Sequence, residues 1–428
     1  MDILIGNEYY INNSDYPYAI MQKSIDCKKS TKYKRDQLAS YNKNILVFSF
    51  FWVLIIGSAS YLIGPLIPII SKELKVGLDI IGIAVSLSVI SKFIATMTTG
   101  NLIEIFGYKK VYFIGIIFSL LGITGIYFSY TYTIFLFAFF ALALGIGVAH
   151  VATLSLVGNY YFKDKTNYLI KLALGNGIAV IVAPLLASLI LFIDIDWKYI
   201  YIFLLIPQAI IFILLFFLKI PGTIIKKNES VRSLFGVTKK ILVNPYFIIC
   251  AVILLVYSTV KDTFFTWFTS YFTFLNIEVN ISSLILAGYG VTTFLGMIIK
   301  NALIRRFKER KILMYGVIIS FIAIIGIVFV DNLIVKIILI FIFGFGLSAI
   351  FTITFSLGLE VSKKYAGSVS GLLMAMAYPG VVIFQYISGY MLENLSKNSV
   401  LILDAILVFF LLVSVVVLNY KKVVNSLD

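Results

Sequence analysis

Twelve apolar runs recur along this 428-residue chain, near 45–70, 80–104, 111–129, 133–158, 168–193, 198–219, 246–275, 281–303, 312–330, 333–358, 366–391 and 400–420. A helix rises about 1.5 Å per residue, so about 20 residues cross a hydrocarbon core ~30 Å thick. Lipid offers the backbone no hydrogen bonds, and runs of this length satisfy their own N–H and C=O groups only as helices. Composition agrees: the chain is 61% hydrophobic and 13% charged, whereas a soluble domain is about a quarter charged. The expected fold class is all-α integral membrane, with twelve transmembrane helices in two six-helix bundles.

Lysine and arginine orient such a bundle, because they accumulate in cytoplasmic loops. The loops near 104–111, 159–167, 219–245, 300–312 and 359–365 are rich in them, while the alternate loops hold only Lys72, Lys75, Lys198, Lys336 and Lys397. Both termini are therefore expected on the cytoplasmic side, in a plasma (inner) membrane. The polar stretch 1–44 lacks the apolar core of a signal peptide and reads as a cytoplasmic tail, as does 421–428. The longest connection, 220–245, is basic, carries Pro221 and Gly222, and includes the amphipathic segment SVRSLFGVTKKIL. It separates a first bundle, 45–219, from a second, 246–420.

Several function classes drop out. The net charge of +15 does not signal nucleic acid, because the basic residues fall in short clusters between apolar runs. Cys27 and Cys250 form no framework, and a single histidine leaves no metal chemistry. No metal or cofactor is expected. The phosphate-binding pattern GxxxxGK followed by Ser or Thr is absent, so the chain is not expected to hydrolyse ATP. An enzyme or a non-transporting sensor would need a catalytic cluster at one membrane face, and a lone mid-span histidine argues against one.

The loop GNLIEIFGYKK (Gly100 to Lys110) follows the second run, and NALIRRFKERK (Asn301 to Lys311) follows the eighth. Aligned, Leu102 meets Leu303, Phe106 meets Phe307, Lys109 meets Arg310 and Lys110 meets Lys311, which marks an internal repeat. The first loop resembles the inner-loop motif Gly-x-Leu-x-Asp-Arg-x-Gly-Arg-Lys of the major facilitator superfamily of secondary transporters. It matches at Gly100, Leu102, Gly107, Lys109 and Lys110, with Glu104 for the acid and Ile105 for the first Arg. The resemblance extends over residues 45 to 420. It implies two bundles that rock about a midplane site, with Gly100, Glu104, Gly107, Lys109 and Lys110 gating the cytoplasmic side. Glu104 would face the N-terminus of span eleven, near Ala366 to Ser368, where the helix dipole favours an anion. For Lys109 and Lys110 the plain positive-inside explanation stands equally.

A lysine at the centre of a membrane helix costs about 2.5–3.5 kcal/mol, so such residues are functional or paired. Lys92 lies mid-span in SLSVISKFIATMTTG, where Ser88, Lys92, Thr96 and Thr99 make one polar face. Lys261 lies mid-span in LLVYSTVKDTFFTWFTSYF, with Tyr257 one turn away. Asp262 is adjacent but about 100° round the helix, an arrangement that does not favour direct pairing. Lys171 is one turn inside span five and is explained by snorkelling. Spans two, five and seven thus hold three lysines and one aspartate, an excess of positive charge that an anionic substrate would balance.

Lys261, Trp267 and Tyr271 also resemble the span-seven Arg, Trp and Tyr of organophosphate:phosphate antiporters. That resemblance implies substrate contact by the cation, but span one here carries no charge to complete a clamp. Lysine also lacks the bidentate fork of arginine, so a monovalent organic anion fits better. Asn176 and Gln385 are further candidates because buried amides need partners. Tyr378 precedes Pro379-Gly380, which should bend span eleven near a substrate site. Asp262 and His150 are the candidates for proton coupling. Trp52, Tyr61, Tyr289 and Tyr386 are aromatic candidates for the cavity wall, each equally explained by packing.

The expected protein is thus a monomeric secondary transporter that binds a small-molecule substrate, a polar anion, with a possible coupling proton, in a lipid bilayer. Rival readings keep the fold but export cationic drugs, with Asp262 as the attracting charge, or pass a neutral sugar-like solute.

Overall fold

The computed structural model describes residues 44–160, 165–218, 220, 239–304, 306–362 and 366–420. The expected tails, the amphipathic part of the central connection at 230–238 and the basic residues Lys163, Arg305, Lys363 and Lys364 lie outside them. The chain divides into two units, 1–48 and 49–428; of the first, residues 44–48 are described and are helical.

The described residues are helical and contain no strand. Eleven helices are long and apolar enough to cross a membrane. They are span one (Asn44–Leu74), one long helix Leu78–Tyr127, span four (Tyr132–Tyr160), span five (Lys165–Phe192), span six (Lys198–Phe217), span seven (Pro245–Thr273), span eight (Val279–Leu303), span nine (Glu309–Phe329), span ten (Leu333–Leu359), span eleven (Val369–Asn394) and span twelve (Ser399–Tyr420). Leu78–Tyr127 has 50 residues, which if straight would be about 75 Å long at 1.5 Å per residue, more than twice the hydrocarbon core. It is two spans. Gly107 has φ 78° and ψ 161°, a region that only glycine enters readily. Its neighbours on span four show that the chain reverses there. Ser91 donates to the Phe140 carbonyl, at 2.9 Å, while a Cβ on Gly122 would touch Leu142. Residues 91 and 122 thus lie at the same depth, about equally far from Gly107. The expected loop 104–111 is a single-residue reversal, and spans two and three meet at it. The twelve-span reading holds.

Lipid-facing surface is apolar: Leu121, Phe137, Phe203, Phe329 and Phe410 are all more than half exposed. The interior is bonded by polar groups that the bilayer cannot satisfy. Tyr112 donates to Thr153, and the Gln208 side-chain oxygen accepts from Ser119.

The first six spans meet the second six chiefly where one packs on seven, two on eleven and five on eight, and span one also touches span eight. Contact is tight toward the end that carries residues 75–77 and 395–398. There a Cβ on Gly64 would stand 2.8 Å from the Phe265 carbonyl oxygen, so glycine is what lets the two backbones approach. The Leu78 N–H, at the N-terminus of span two, donates to Glu393 Oε2 of span eleven at 2.8 Å. A carboxylate at a helix N-terminus is favoured by the dipole as well as by the bond. Toward the Gly107 end the contacts thin out. Cβ atoms on Gly100 or Gly371 would meet nothing within 4 Å.

Three spans are interrupted, span one at Leu62 among them. Span ten consists of Leu333–Leu347 and Ile350–Leu359, broken at Ser348 (ψ 149°) and Ala349 (φ 61°). Span eleven is interrupted at Ala377, between Ala366–Met376 and Tyr378–Asn394, as Tyr378-Pro379-Gly380 leads one to expect. The break in span ten frees carbonyls inside the bundle, and Lys300 of span eight fills the gap. Its Nζ donates to the carbonyls of Phe345, Gly346 and Ser348 at 2.8, 2.7 and 2.9 Å. This corrects two positions. Lys300, read as a cytoplasmic loop residue, is a buried residue of span eight, and Lys336, read as a loop residue at the other face, is buried in span ten with its Nζ on Tyr271 Oη at 2.8 Å. A long stem lets each lysine follow an apolar helix while its nitrogen finds oxygen.

Replacing Lys300 with Met should leave these carbonyls without donors, at about 1–3 kcal/mol for each group left unpaired. The expected outcome is a lower midpoint of thermal unfolding in detergent and loss of the folded peak on size exclusion. An unchanged midpoint would mean that the ammonium does not hold the break. Replacing Gly64 with Val should drive spans one and seven apart, and labelling of a cysteine introduced at Tyr61 by a water-soluble maleimide should rise.

Candidate functional site

The residues singled out by charge converge where spans one, two, four, five, seven and eleven meet. Lys92 Nζ donates to Ser60 Oγ of span one at 2.7 Å. Lys261 Nζ donates to Tyr61 Oη, the next residue of span one, at 3.0 Å. It also stands 5.3 Å from the Tyr61 ring centroid, an added cation–π attraction. Lys92 lies within electrostatic reach of both Lys261 and Asp262. Neither nitrogen turns to the acyl chains.

Lys261 and Asp262 pair after all: Nζ is 3.5 Å from Asp262 Oδ1. Adjacent helix positions do point about 100° apart, but the four-carbon stem of lysine curls across that angle. Their side chains keep 24% and 40% of their accessible surface. Asp262 also acts on Lys92 of span two and Tyr378 of span eleven, so the pair lies where the two halves come together.

Other candidates close the ring. Tyr257 is buried one turn from Lys261 and feels its charge. Asn176 Nδ2 donates to Tyr61 Oη at 3.5 Å. Thr96 Oγ1 donates to Tyr378 Oη at 3.3 Å, and the Phe93 and Tyr378 rings pack edge-on at 6.0 Å. His150 is half-buried and within reach of the charge of Lys92. Span four comes close because Gly147 lies against Lys92: a Cβ there would be 3.1 Å from its Cα.

Some candidates are occupied elsewhere. Trp267 Nε1 donates to Gln385 Oε1 at 2.8 Å, and Gln385 Nε2 donates to the Asp262 carbonyl and to Thr266 Oγ1, both at 3.1 Å. Trp267 and Gln385 are nearly wholly buried and brace span seven on span eleven. Tyr271 is engaged by Lys336. The spacing of Lys261, Trp267 and Tyr271 therefore does not build one anion clamp. Trp52 and Tyr289 are buried, Tyr386 is exposed, and Lys171 lies over the Tyr168 ring at the start of span five.

At the reversal between spans two and three, Glu104 and Lys110 are exposed. Lys109 Nζ donates to the Phe216 carbonyl of span six at 2.9 Å, within the first half.

Sequence reading missed two groups. Ser60 carries no pattern that marks it as the acceptor for Lys92. Asp404, buried inside span twelve, was not singled out as an intramembrane charge. No group of three or more His, Cys, Asp or Glu able to hold a metal occurs among the described residues.

The profile described as "Major Facilitator Superfamily" matches residues 49–384. None of the curated proteins matches. Among solved structures, the nucleoside transporter NupG (D323A mutant) is 16% identical at TM-score 0.73, over 88% of this chain and 99% of that one. The D-xylose-proton symporter is 14% identical at 0.73, over 90% and 98%. A bacterial homologue of the human lysosomal transporter Spinster, inward-facing and unoccupied, is 13% identical at 0.66, over 89% and 95%. At such identities the structures share a fold, while the profile spans most of the sequence. The chain belongs to the major facilitator superfamily and is a membrane transporter, not an enzyme.

Proposed function

We propose that this transporter moves a small, polar, monovalent organic anion by alternating access between an N-terminal bundle (45–219) and a C-terminal bundle (246–420). The observation that carries the reading is the cluster at the centre. Two ammonium groups and one carboxylate leave one positive charge beside accessible space, and one anionic group balances it. Lys92 and Lys261 attract the solute. Tyr257, Asn176 and Tyr378 offer hydrogen bonds around it, while Trp267, Gln385 and Tyr271 keep span seven in place. Asp262 or His150 carries a coupling proton, because each faces Lys92 and would respond to the arrival of a second charge.

The halves are tight at the Glu393 end and loose at the Gly107 end. With the basic loops inside and both termini cytoplasmic in the plasma membrane, this is the inward-facing state of a monomer. Glu104 is then released, and in the outward-facing state it returns to the N-terminus of span eleven. Gly100 and Gly107 allow that approach, and Lys109 and Lys110 flank it.

One observation favours a second reading. Lys261 is already paired with Asp262, so the centre is less positive than its lysines alone would make it. A neutral polyhydroxy solute, of the sugar or nucleoside kind named for two of the solved relatives, could use Ser60, Tyr61, Asn176 and Tyr378.

Uptake into proteoliposomes separates the two, using a panel of small monocarboxylates, sugars, nucleosides and cationic dyes with and without a pH gradient. The expected outcome is anion uptake, abolished by Lys261→Ala with expression unchanged. Normal anion flux in that variant would remove Lys261 from the site, and uptake of neutral solutes alone would select the second reading. For the gate, a carboxylate at a helix end is worth about 0.3–1 kcal/mol. Glu104→Gln should therefore slow exchange by roughly two- to five-fold while leaving apparent affinity within that range.

A further inference from the structure

We propose that Tyr61 of span one ties the first six spans to the second six through Lys261 while the site is empty, and that an arriving solute must draw the ammonium off it. The inference rests on the anionic solute proposed above and gives Tyr61 a positioning role in transport. The tie holds back the empty carrier and releases the loaded one.

Tyr61 belongs to the first six spans and Lys261 to the second six, so the 3.0 Å bond from Nζ to Oη crosses between them. Span seven also holds the ring. Phe265 lies one turn beyond Lys261 on the same face, and the Tyr61 and Phe265 rings meet edge-on at 5.0 Å. Gly64, the next turn of span one, allows both contacts: a Cβ there would stand 3.1 Å from Thr266 Cα. From its own half, Tyr61 Oη accepts from Asn176 Nδ2 of span five at 3.5 Å. Gly57, one turn earlier in span one, leaves room for that amide, since a Cβ there would be 3.1 Å from Asn176 Oδ1. One phenol oxygen thus takes a donor from each half, the stronger of them charged.

The other bonds at the centre differ. Lys92 to Ser60 stays within the first six spans, and Lys261 to Asp262 within one helix. Thr96 and Tyr378 bond across the halves at 3.3 Å, but as neutral hydroxyls they attract an anion less. Lys261 combines a bond across the halves with a full charge and 24% of its side-chain surface open. An anionic oxygen is a stronger acceptor for an ammonium than a phenol is. On its arrival the Nζ–H···Oη bond breaks and an Nζ–H···O⁻ bond forms, with no covalent bond changed. Phe265 still holds the ring, so spans one and seven stay in contact but lose their charged hydrogen bond.

The test is a distance between two spin labels, measured by pulsed electron resonance on the full chain in lipid nanodiscs. The labels sit on Lys72→Cys and Lys397→Cys, exposed positions at the closed end of the first and second six spans, with Cys27 and Cys250 replaced by Ala. Without solute, Tyr61→Phe, which keeps the ring on Phe265, should raise the ratio of long to short distances about tenfold, as the loss of one hydrogen bond to a charged group predicts. Ser58→Ala removes a bond that stays within span one and should leave the ratio unchanged. Saturating acetate, lactate or benzoate should raise the ratio in the parent protein and add little in Tyr61→Phe. An unchanged ratio in Tyr61→Phe, an equal rise in Ser58→Ala, or a carboxylate response of the same size with and without the hydroxyl would overturn the proposal. A raised ratio in Tyr61→Phe, with no response of the parent protein to any carboxylate, would uphold the tie and count against the anionic solute instead.

Discussion

Each ammonium group drawn into this bundle ends on oxygen, and that requirement organises the structure. Lys92 reaches a serine, Lys261 a tyrosine and an aspartate, Lys300 three carbonyls, Lys336 a tyrosine, and Lys198 the carboxylate of Glu73. Lipid cannot supply these partners, so the helices that carry the lysines must pack against helices that carry oxygen. The same rule separates lysines that hold the fold from those we propose to meet a solute. Lys300 spends its donors on backbone freed by the break in span ten and keeps little accessible surface. Lys261 keeps a quarter of its side-chain surface open, between the halves, where a solute could compete for it.

The two halves are held at one end and loosened at the other by equally local features. Small residues let spans one and seven approach, and Glu393 caps span two from span eleven. At the far end, Glu104 of span two is exposed. The helix pair that is latched at one end by Glu393 thus carries a free carboxylate at the other. The proposed rocking needs only that one of these contacts form as the other breaks, each being worth little enough to exchange thermally.

Much of this was legible from residue order. The apolar runs gave twelve spans, Gly107 marked the reversal, and Pro379 marked the interruption of span eleven. Lys92, Lys261 and Asp262 were visible as charges where none should be. The errors share one cause. Lys300 and Lys336 lie near the ends of apolar runs, where hydropathy cannot tell a snorkelling lysine from a buried one. Asp404 is a single acid near the start of an apolar run, and its environment depends on Thr263, 141 residues away. Trp267 and Tyr271 share a motif-like spacing with Lys261, yet their polar atoms are committed to Gln385 and Lys336.

The sequence by itself determined that the chain crosses a membrane many times as helices, and that Lys92 and Lys261 enter it near mid-span, because hydrocarbon tolerates no other backbone and few charges. Tertiary structure alone decided what each charge meets. Whether an ammonium lies beside a hydroxyl, a carboxylate or a broken helix depends on which helices pack together, and those helices are separated in sequence by tens to hundreds of residues. Side-chain length and rotamer then decide the last few ångströms, as Lys261 and Asp262 show by pairing across an angle that helix geometry alone sets against them.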